Sequence, residues 1–218
     1  MISHCWFDMD HTLIDNDCDV SWKHFMVGKN LADAGETERL AALYYQKYLD
    51  GTLDPAEFMA FQLCEFRGQT PEAMNLLARE HFEVMVKSKI YRAAAELCRR
   101  RAAQGCSLAV ITSTNTVVAR PLADWLGIET VFGAQPELFN GRYTGKTTGV
   151  YPVGPGKVAV FEDYWRRCHE NPKNFAYYGD SIHDRFLLAA VGEAHAVNPG
   201  SELRNLAEKN HWHIDLFN

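Results

Sequence analysis

Three short apolar runs, each closed by a cluster of polar residues, constrain this chain more than any other feature. His4–Asp8 (HCWFD) leads into Asp10-His11-Thr12. Ser107–Ile111 (SLAVI), preceded by Gly105, leads into Thr112-Ser113-Thr114, and Asn174–Tyr178 (NFAYY) leads into Gly179-Asp180-Ser181. Runs so short and so rich in aromatic and branched residues read as buried strands. A shorter strand is expected at Ala194–Val197. Between them, apolar periodicity predicts helices over Tyr91–Gln104, Thr116–Leu126, Lys157–His169, Ile182–Val191 and Glu202–Asn210. Strands alternating with helices predict an α/β fold with a doubly wound parallel sheet. Ligands of such sheets sit beyond the carboxyl ends of the strands. All three polar clusters lie there, which turns three distant segments into one candidate site.

One interval is too long for this scheme. Between Thr12 and Thr112 the chain far exceeds the ~30 residues of a βαβ unit. The surplus, about Asn16 to Ser88, has helical periodicity in Glu36–Leu49, Pro55–Phe66 and Pro71–Val86, punctuated by Gly51 and Gly68. It predicts an inserted α-helical cap, 16–88, on a discontinuous core made of 1–15 and 89–218. A cap excludes water and selects substrate; the alternative is a helical decoration with no part in the site. From Glu129 to Thr148 the pattern changes again. Asn140-Gly141 between Glu137–Phe139 and Arg142–Thr144 predicts a β-hairpin at the rim of the sheet.

Charge and cysteine usage narrow the class. The net charge is −6, and no basic block offers the Lys/Arg face that a nucleic-acid backbone requires. The run Arg99-Arg100-Arg101 ends a predicted helix, where it complements the C-terminal dipole. No apolar stretch approaches the ~20 residues of a membrane-spanning helix, and the early Asp8 and Asp10 argue against a secretory leader. Six cysteines without metal-site spacing read as free thiols, so the expected location is the cytoplasm. A monomer or a homodimer is equally compatible with these features.

The chemistry concentrates in Asp8-Met9-Asp10-His11-Thr12-Leu13. Side chains two apart on extended backbone face the same way, with Cα atoms about 6–7 Å apart. Two carboxylates so placed can flank one phosphorus, one attacking it and the other handling the leaving group's proton. Asp180 and Asp184 supply further hard oxygen donors and suit Mg²⁺. Thr112, with the amides of Ser113 and Thr114, can cradle phosphate at a helix N-terminus, though a threonine there is also an ordinary cap. Lys157 follows Gly154-Pro155-Gly156 and so opens a helix. A cation is unfavourable there, which points to a different role, that of neutralising phosphate and holding Asp8 ionised.

Together, DMDHTL, VITST, GPGK and GDSIHD resemble the four motifs of the haloacid dehalogenase superfamily in its phosphatase branch. The resemblance covers the whole chain and implies a Rossmann-like core. The insertion after the first motif looks like the cap of the phosphoserine-phosphatase-like subgroup. The resemblance implies an in-line attack by Asp8 on a small phosphorylated metabolite, with Asp10 as general acid and then base. It implies Mg²⁺ held by Asp8, the Asp10 carbonyl and Asp180, with Asp184 direct or water-bridged, and phosphate held by Thr112 and Lys157. Relatives often carry Asn where His183 stands, and Leu-Pro where Arg185-Phe186 stands, so the substrate is less readable than the reaction.

Asp17 falls where phosphoserine phosphatases place an acid that reads the substrate's amino group; capping a helix near Asp19–Ser21 is the equal alternative. An EF-hand over Asp15–Asp19 is excluded, because Val20 and Met26 occupy its glycine and glutamate positions. The segments DCDVSW (17–22), GTLD (51–54) and GRYTG (141–145) also resemble bacterial histidinol-phosphate phosphatases. That resemblance implies Asp17, Asp19 and Trp22 as contacts, with Arg67 and His183 as further candidates. His211 and His213 read as residues on one face of a terminal strand rather than metal ligands. Histidinol phosphate and phosphoserine are the candidate substrates. A phosphotransferase or mutase, and a catalytically idle module, are the competing readings.

Overall fold

The computed structural model describes residues 1–50 and 52–218, apart from the side chains of residues 48 and 49; the expected break at Gly51 lies outside them. The chain begins with β1 (His4–Phe7), followed by α1 (Cys18–Gly28), α2 (Ala34–Leu49), α3 (Pro55–Gln62) and α4 (Pro71–His81). Then come α5 (Arg92–Ala103), β2 (Ser107–Asn115), α6 (Thr116–Trp125), β3 (Thr130–Phe139) and β4 (Arg142–Thr148). The last part runs α7 (Pro155–Arg167), β5 (Phe175–Gly179), α8 (Arg185–Leu188), β6 (Glu193–Val197), α9 (Ser201–Asn210) and β7 (His213–Asp215). The strands make one sheet in the order β4-β3-β2-β1-β5-β6-β7, parallel except for the β3–β4 pair.

β1 is the pivot of this order. The chain winds outward from it through β2 and β3, then returns to lay β5 on its other side. Phe7 is in register with both Val110 and Tyr178, so Asp8 emerges from β1 between its two neighbours, β2 and β5. That crevice is the switch point at which doubly wound sheets bind ligands. Alternation along the strands explains the uninterrupted apolar runs. Cys5, Phe7 and Tyr178 pack on one face, while Trp6, Phe175 and Tyr177 pack on the other with Phe161 of α7. Full burial of such side chains stabilises the fold by roughly 1.5–3 kcal/mol each.

The helices between β1 and α5 are not a detached body. Trp22, Phe25, Met59, Phe66 and Phe82 belong to the same apolar cluster as Phe7, Met9 and Val118. α4 packs on α6, and the Asn140-Gly141 hairpin is fastened to the insertion by backbone bonds from Gly68 N to Tyr143 O (2.8 Å) and from Tyr143 N to Gln69 O (2.9 Å). Asn140 and Gly141 both have positive φ (49° and 75°), the backbone of a tight two-residue turn. No helix among the described residues is long and apolar enough to cross a membrane, and the six cysteines are unbridged.

Four local expectations need correction. β2 continues to Asn115 instead of ending at Ile111, and Asn115 Oδ1 caps α6 by accepting from Val118 N at 3.0 Å. The helix expected over Ile182–Val191 is instead a 3₁₀ turn, Ile182–Asp184, opened by a reciprocal capping box of Ser181 and Asp184, followed by the short α8. His211 is not on the terminal strand: it closes α9 in a left-handed conformation (φ 56°), and only His213 lies on β7. Arg101 does more than complement a dipole. It donates to Tyr178 Oη at 2.7 Å and pairs with Glu193, tying α5 to β5 and β6.

Candidate active site

The carboxyl ends of β1, β2 and β5 bring together Asp8, Asp10, Thr112, Thr114, Asp180 and Asp184, and α7 contributes Lys157. Asp8 N donates to Tyr178 O at 2.8 Å, continuing the sheet's bonding one residue past β1. Lys157 Nζ donates to Asp8 Oδ1 (2.7 Å), Asp184 Oδ1 (2.7 Å) and Tyr177 Oη (3.0 Å). Lys157 and Asp184 are buried, so these are short, desolvated contacts. Burial opposes the Lys157 charge, but Asp184 and Asp8 outweigh it and hold the ammonium well above its usual pKa. Asp8 is pushed upward by burial, with Lys157 opposing and Asp184 and Asp180 reinforcing the shift.

Asp184 can approach this closely because of Gly179. A Cβ there would stand 2.7 Å from Asp184 Cγ. Asp184 Oδ2 accepts from Ser181 N at 3.2 Å, and Oδ1 accepts from Tyr177 Oη at 2.6 Å as well as from Lys157. Asp180 is half-buried and accepts from Thr12 Oγ1 at 3.0 Å. Burial, then Asp184, raise its pKa to about 6.

Asp8, Asp180 and Asp184 each place a carboxylate oxygen within 4.8 Å of the others. Three such carboxylates against one ammonium leave two negative charges uncompensated. An all-oxygen donor set with that charge deficit fits a hard divalent cation.

Asp10 faces a different set of groups. Its Oδ1 accepts from Cys18 N (2.8 Å) and its Oδ2 from Thr114 Oγ1 (2.8 Å), with Thr112 Oγ1 at 3.5 Å. Burial, then Asp17 and Asp8, raise its pKa to about 7 against the pull of Thr114 and Cys18. A carboxyl poised there can both release and accept a proton near neutrality.

The sequence pointed to Thr114 for its amide and missed its hydroxyl, although Thr114 follows Thr112 by the two positions that put side chains on one side of a strand. The expected phosphate cradle at a helix N-terminus is corrected in part. Thr114 N is bonded to Thr112 Oγ1 at 3.1 Å, and α6 begins only at Thr116. Tyr177 was missed too; its signal was a hydroxyl on a fully buried strand, which needs a partner.

The residues expected to meet substrate scatter. Asp17 caps α1, accepting from Val20 N at 3.0 Å. Asp19 is half-buried, and among the described residues no hydrogen bond or ion pair engages its carboxylate. Burial, then Asp17 and Asp10, push its pKa well up, with Lys23 opposing. Ser113 is half-buried beside Tyr151.

Trp22 is buried among Phe25, Phe66 and His81, so it packs the insertion instead of lining an opening. Arg67 is exposed and lies across Gly145 of the hairpin, its Nε 3.1 Å from where a Cβ would stand. His183 is half-buried on the turn that carries Asp184, its N donating to Ser181 Oγ at 3.2 Å.

Comparison with known proteins fits this geometry. The family model for haloacid dehalogenase-like hydrolases matches residues 5–189. The chain belongs to that family. Histidinol-phosphatase of Neisseria meningitidis is 31% identical, over 97% of each chain. Phosphoserine phosphatase SerB1 of Mycobacterium tuberculosis is 27% identical over 97% of this chain and 70% of its own. Among solved structures, a Bordetella pertussis protein described as of unknown function has a TM-score of 0.91 at 27% identity, covering 99% of this chain and 98% of that one. A substrate-bound phosphoserine phosphatase has a TM-score of 0.68 at 14% identity, covering 99% and 93%, which speaks to the fold alone. The chain is thus a hydrolase of the family's phosphatase branch.

Proposed function

We propose that this haloacid dehalogenase-like hydrolase is a Mg²⁺-dependent phosphomonoesterase that passes the phosphoryl group through Asp8. Its substrate would be a small amine-bearing phosphate, with histidinol phosphate first among the candidates. The observation that carries the reading is the Lys157–Asp8 contact of 2.7 Å beside the cluster of Asp8, Asp180 and Asp184. Asp8 and Asp180, with Asp184 directly or through water, would hold Mg²⁺. When bound, the ion supplies positive charge to the phosphoryl oxygens.

In the first step an Asp8 carboxylate oxygen bonds to phosphorus and the ester P–O bond breaks. Asp10 donates its proton to the departing alkoxide. In the second step water attacks the phosphorus, Asp10 takes the water's proton, and the bond from phosphorus to Asp8 breaks to release inorganic phosphate. Lys157, Thr112 and Ser113 hold the phosphoryl oxygens throughout. Residues 16–88 serve as the cap over a core formed by 1–15 and 89–218. Their common apolar packing supports a closed resting arrangement.

A cluster of acids beside Asp10 supports the substrate class. Asp19 stands near Asp10 and Asp17, so an ammonium or imidazolium there offsets like-charge crowding. The similarity to histidinol-phosphatase along both chains points the same way. The test is a panel of histidinol phosphate, phosphoserine and sugar phosphates, ranked by kcat/KM with Mg²⁺ and with chelator. Amine-bearing substrates are expected to lead and chelator to abolish turnover. Equal activity with chelator contradicts the metal requirement, and a lead for sugar phosphates contradicts the substrate class.

A further inference from the structure

Lys157 has three ammonium hydrogens and three acceptors around it: Asp8 Oδ1, Asp184 Oδ1 and Tyr177 Oη. The direction of each bond follows from chemistry. Lysine can only donate and Asp184 Oδ1 accepts from both neighbours, so Tyr177 gives its single proton to Asp184 (2.6 Å) and receives one from Lys157. Two contacts alone leave Nζ free to swing about the line joining the two carboxylates; a third removes that freedom. Lysine is the side chain most in need of such a stop, having a long flexible stem. Tyr177 provides it from a rigid ring, fully buried on β5 in register with Trp6 and next to Asp8's own strand. Its hydroxyl is neutral, so it fixes the ammonium without cancelling the charge that the phosphoryl group must meet.

We propose that Tyr177 is a positioning residue for Lys157, holding the ammonium on Asp8 through a hydroxyl that accepts from Nζ and donates to Asp184. The proposal rests on the phosphatase reading for its kinetic consequence, but its structural half can be measured without turnover.

The variant is Tyr177→Phe, which keeps the ring and its packing. The control is Tyr178→Phe, which removes a hydrogen-bonded hydroxyl from another buried tyrosine of the same strand, one bonded to Arg101 on the other face. In ¹⁵N-lysine-labelled wild type, Lys157 gives a slowly exchanging ammonium resonance, assigned by its loss in Lys157→Met. Tyr177→Phe shifts or broadens that resonance and Tyr178→Phe leaves it in place. With Mg²⁺, Tyr177→Phe lowers kcat roughly 10- to 100-fold while KM moves less than about twofold, as for a lost hydrogen bond to a charged group. Tyr178→Phe loses stability but retains kcat.

An unchanged ammonium resonance in Tyr177→Phe overturns the proposal, as does an equal loss of kcat in Tyr178→Phe. A wild type without a slowly exchanging Lys157 signal also contradicts it. A wild type that hydrolyses no phosphate monoester defeats the phosphatase reading instead, and the resonance comparison still decides Tyr177.

Discussion

Lys157 Nζ sits 2.7 Å from Asp8 Oδ1 across 149 positions of the chain. The contact joins the first strand to the helix that follows the hairpin, and both partners are desolvated. Removing one charge from such a pair leaves the other buried and uncompensated.

Lys157→Met is therefore expected to act twice. It lowers kcat by roughly 10²–10³-fold, the usual effect of deleting a preorganised group at the reacting phosphoryl. It also costs roughly 3–5 kcal/mol of stability without metal, because Asp8 and Asp184 lose their counter-charge. Steady-state kinetics and urea denaturation measure the two effects separately, and an unchanged denaturation midpoint contradicts the second.

Thr114 donates to the same Asp10 oxygen that Thr112 approaches, at 2.8 Å against 3.5 Å. Thr114→Val removes the shorter contact and preserves shape. With an alkyl phosphate, whose leaving oxygen needs a proton, kcat is expected to fall roughly 10-fold. With an aryl phosphate the loss is smaller, since that leaving group departs as an anion. Equal losses on both substrates contradict a role for Thr114 in orienting the proton donor.

His81 gives a pH prediction away from the chemistry. It is fully buried, with Nε2 2.9 Å from Ser21 Oγ and, among the described residues, no partner at Nδ1. Burial pulls its pKa down to about 4. The unfolded chain then binds the extra proton first as pH falls below about 6.5, the ordinary histidine value. The neutral ring's contribution is complete above that pH and lost progressively toward pH 4. Linkage makes the whole effect roughly 3 kcal/mol, with about 2 kcal/mol gone at pH 5. Relative to wild type, His81→Leu should be more stable at pH 5 than at pH 7.5 by about that amount. A wild-type-to-variant difference that is the same at both pH values contradicts the assignment.

Much of the fold was legible because both faces of the sheet are covered. Trp6 and Phe7 face opposite layers yet are both apolar, so the strand announces itself as a continuous run. Asp8, Asp10, Lys157, Asp180 and Asp184 were legible for a related reason. Each lies at the end of such a run or at a glycine-marked turn, where a charged side chain stands out. Tyr177 was hidden because it lies inside a strand, where a hydroxyl is read as part of the apolar pattern, and the Thr114 hydroxyl was overlooked because β2 was expected to end before it. Trp22 misled in the opposite sense: an aromatic beside two acids looks like a ligand platform, but helix α1 turns it into the insertion's interior. The end of β2 was misplaced because Thr112, Asn115 and Thr116 are all plausible helix starts, and only the Asn115 side-chain bond decides among them.

Everything proposed for this site depends on Asp8 carrying the phosphoryl group. Rapid acid quench of the enzyme during turnover with Mg²⁺, followed by borohydride reduction and peptide mass spectrometry, measures that directly. Reduction of an aspartyl-phosphate converts that aspartate to homoserine. Homoserine is therefore expected at position 8 and absent in Asp8→Asn, which should also be inactive. Turnover with Asp8 unmodified, homoserine at another aspartate, or full activity in a contaminant-free Asp8→Asn preparation would contradict the assignment.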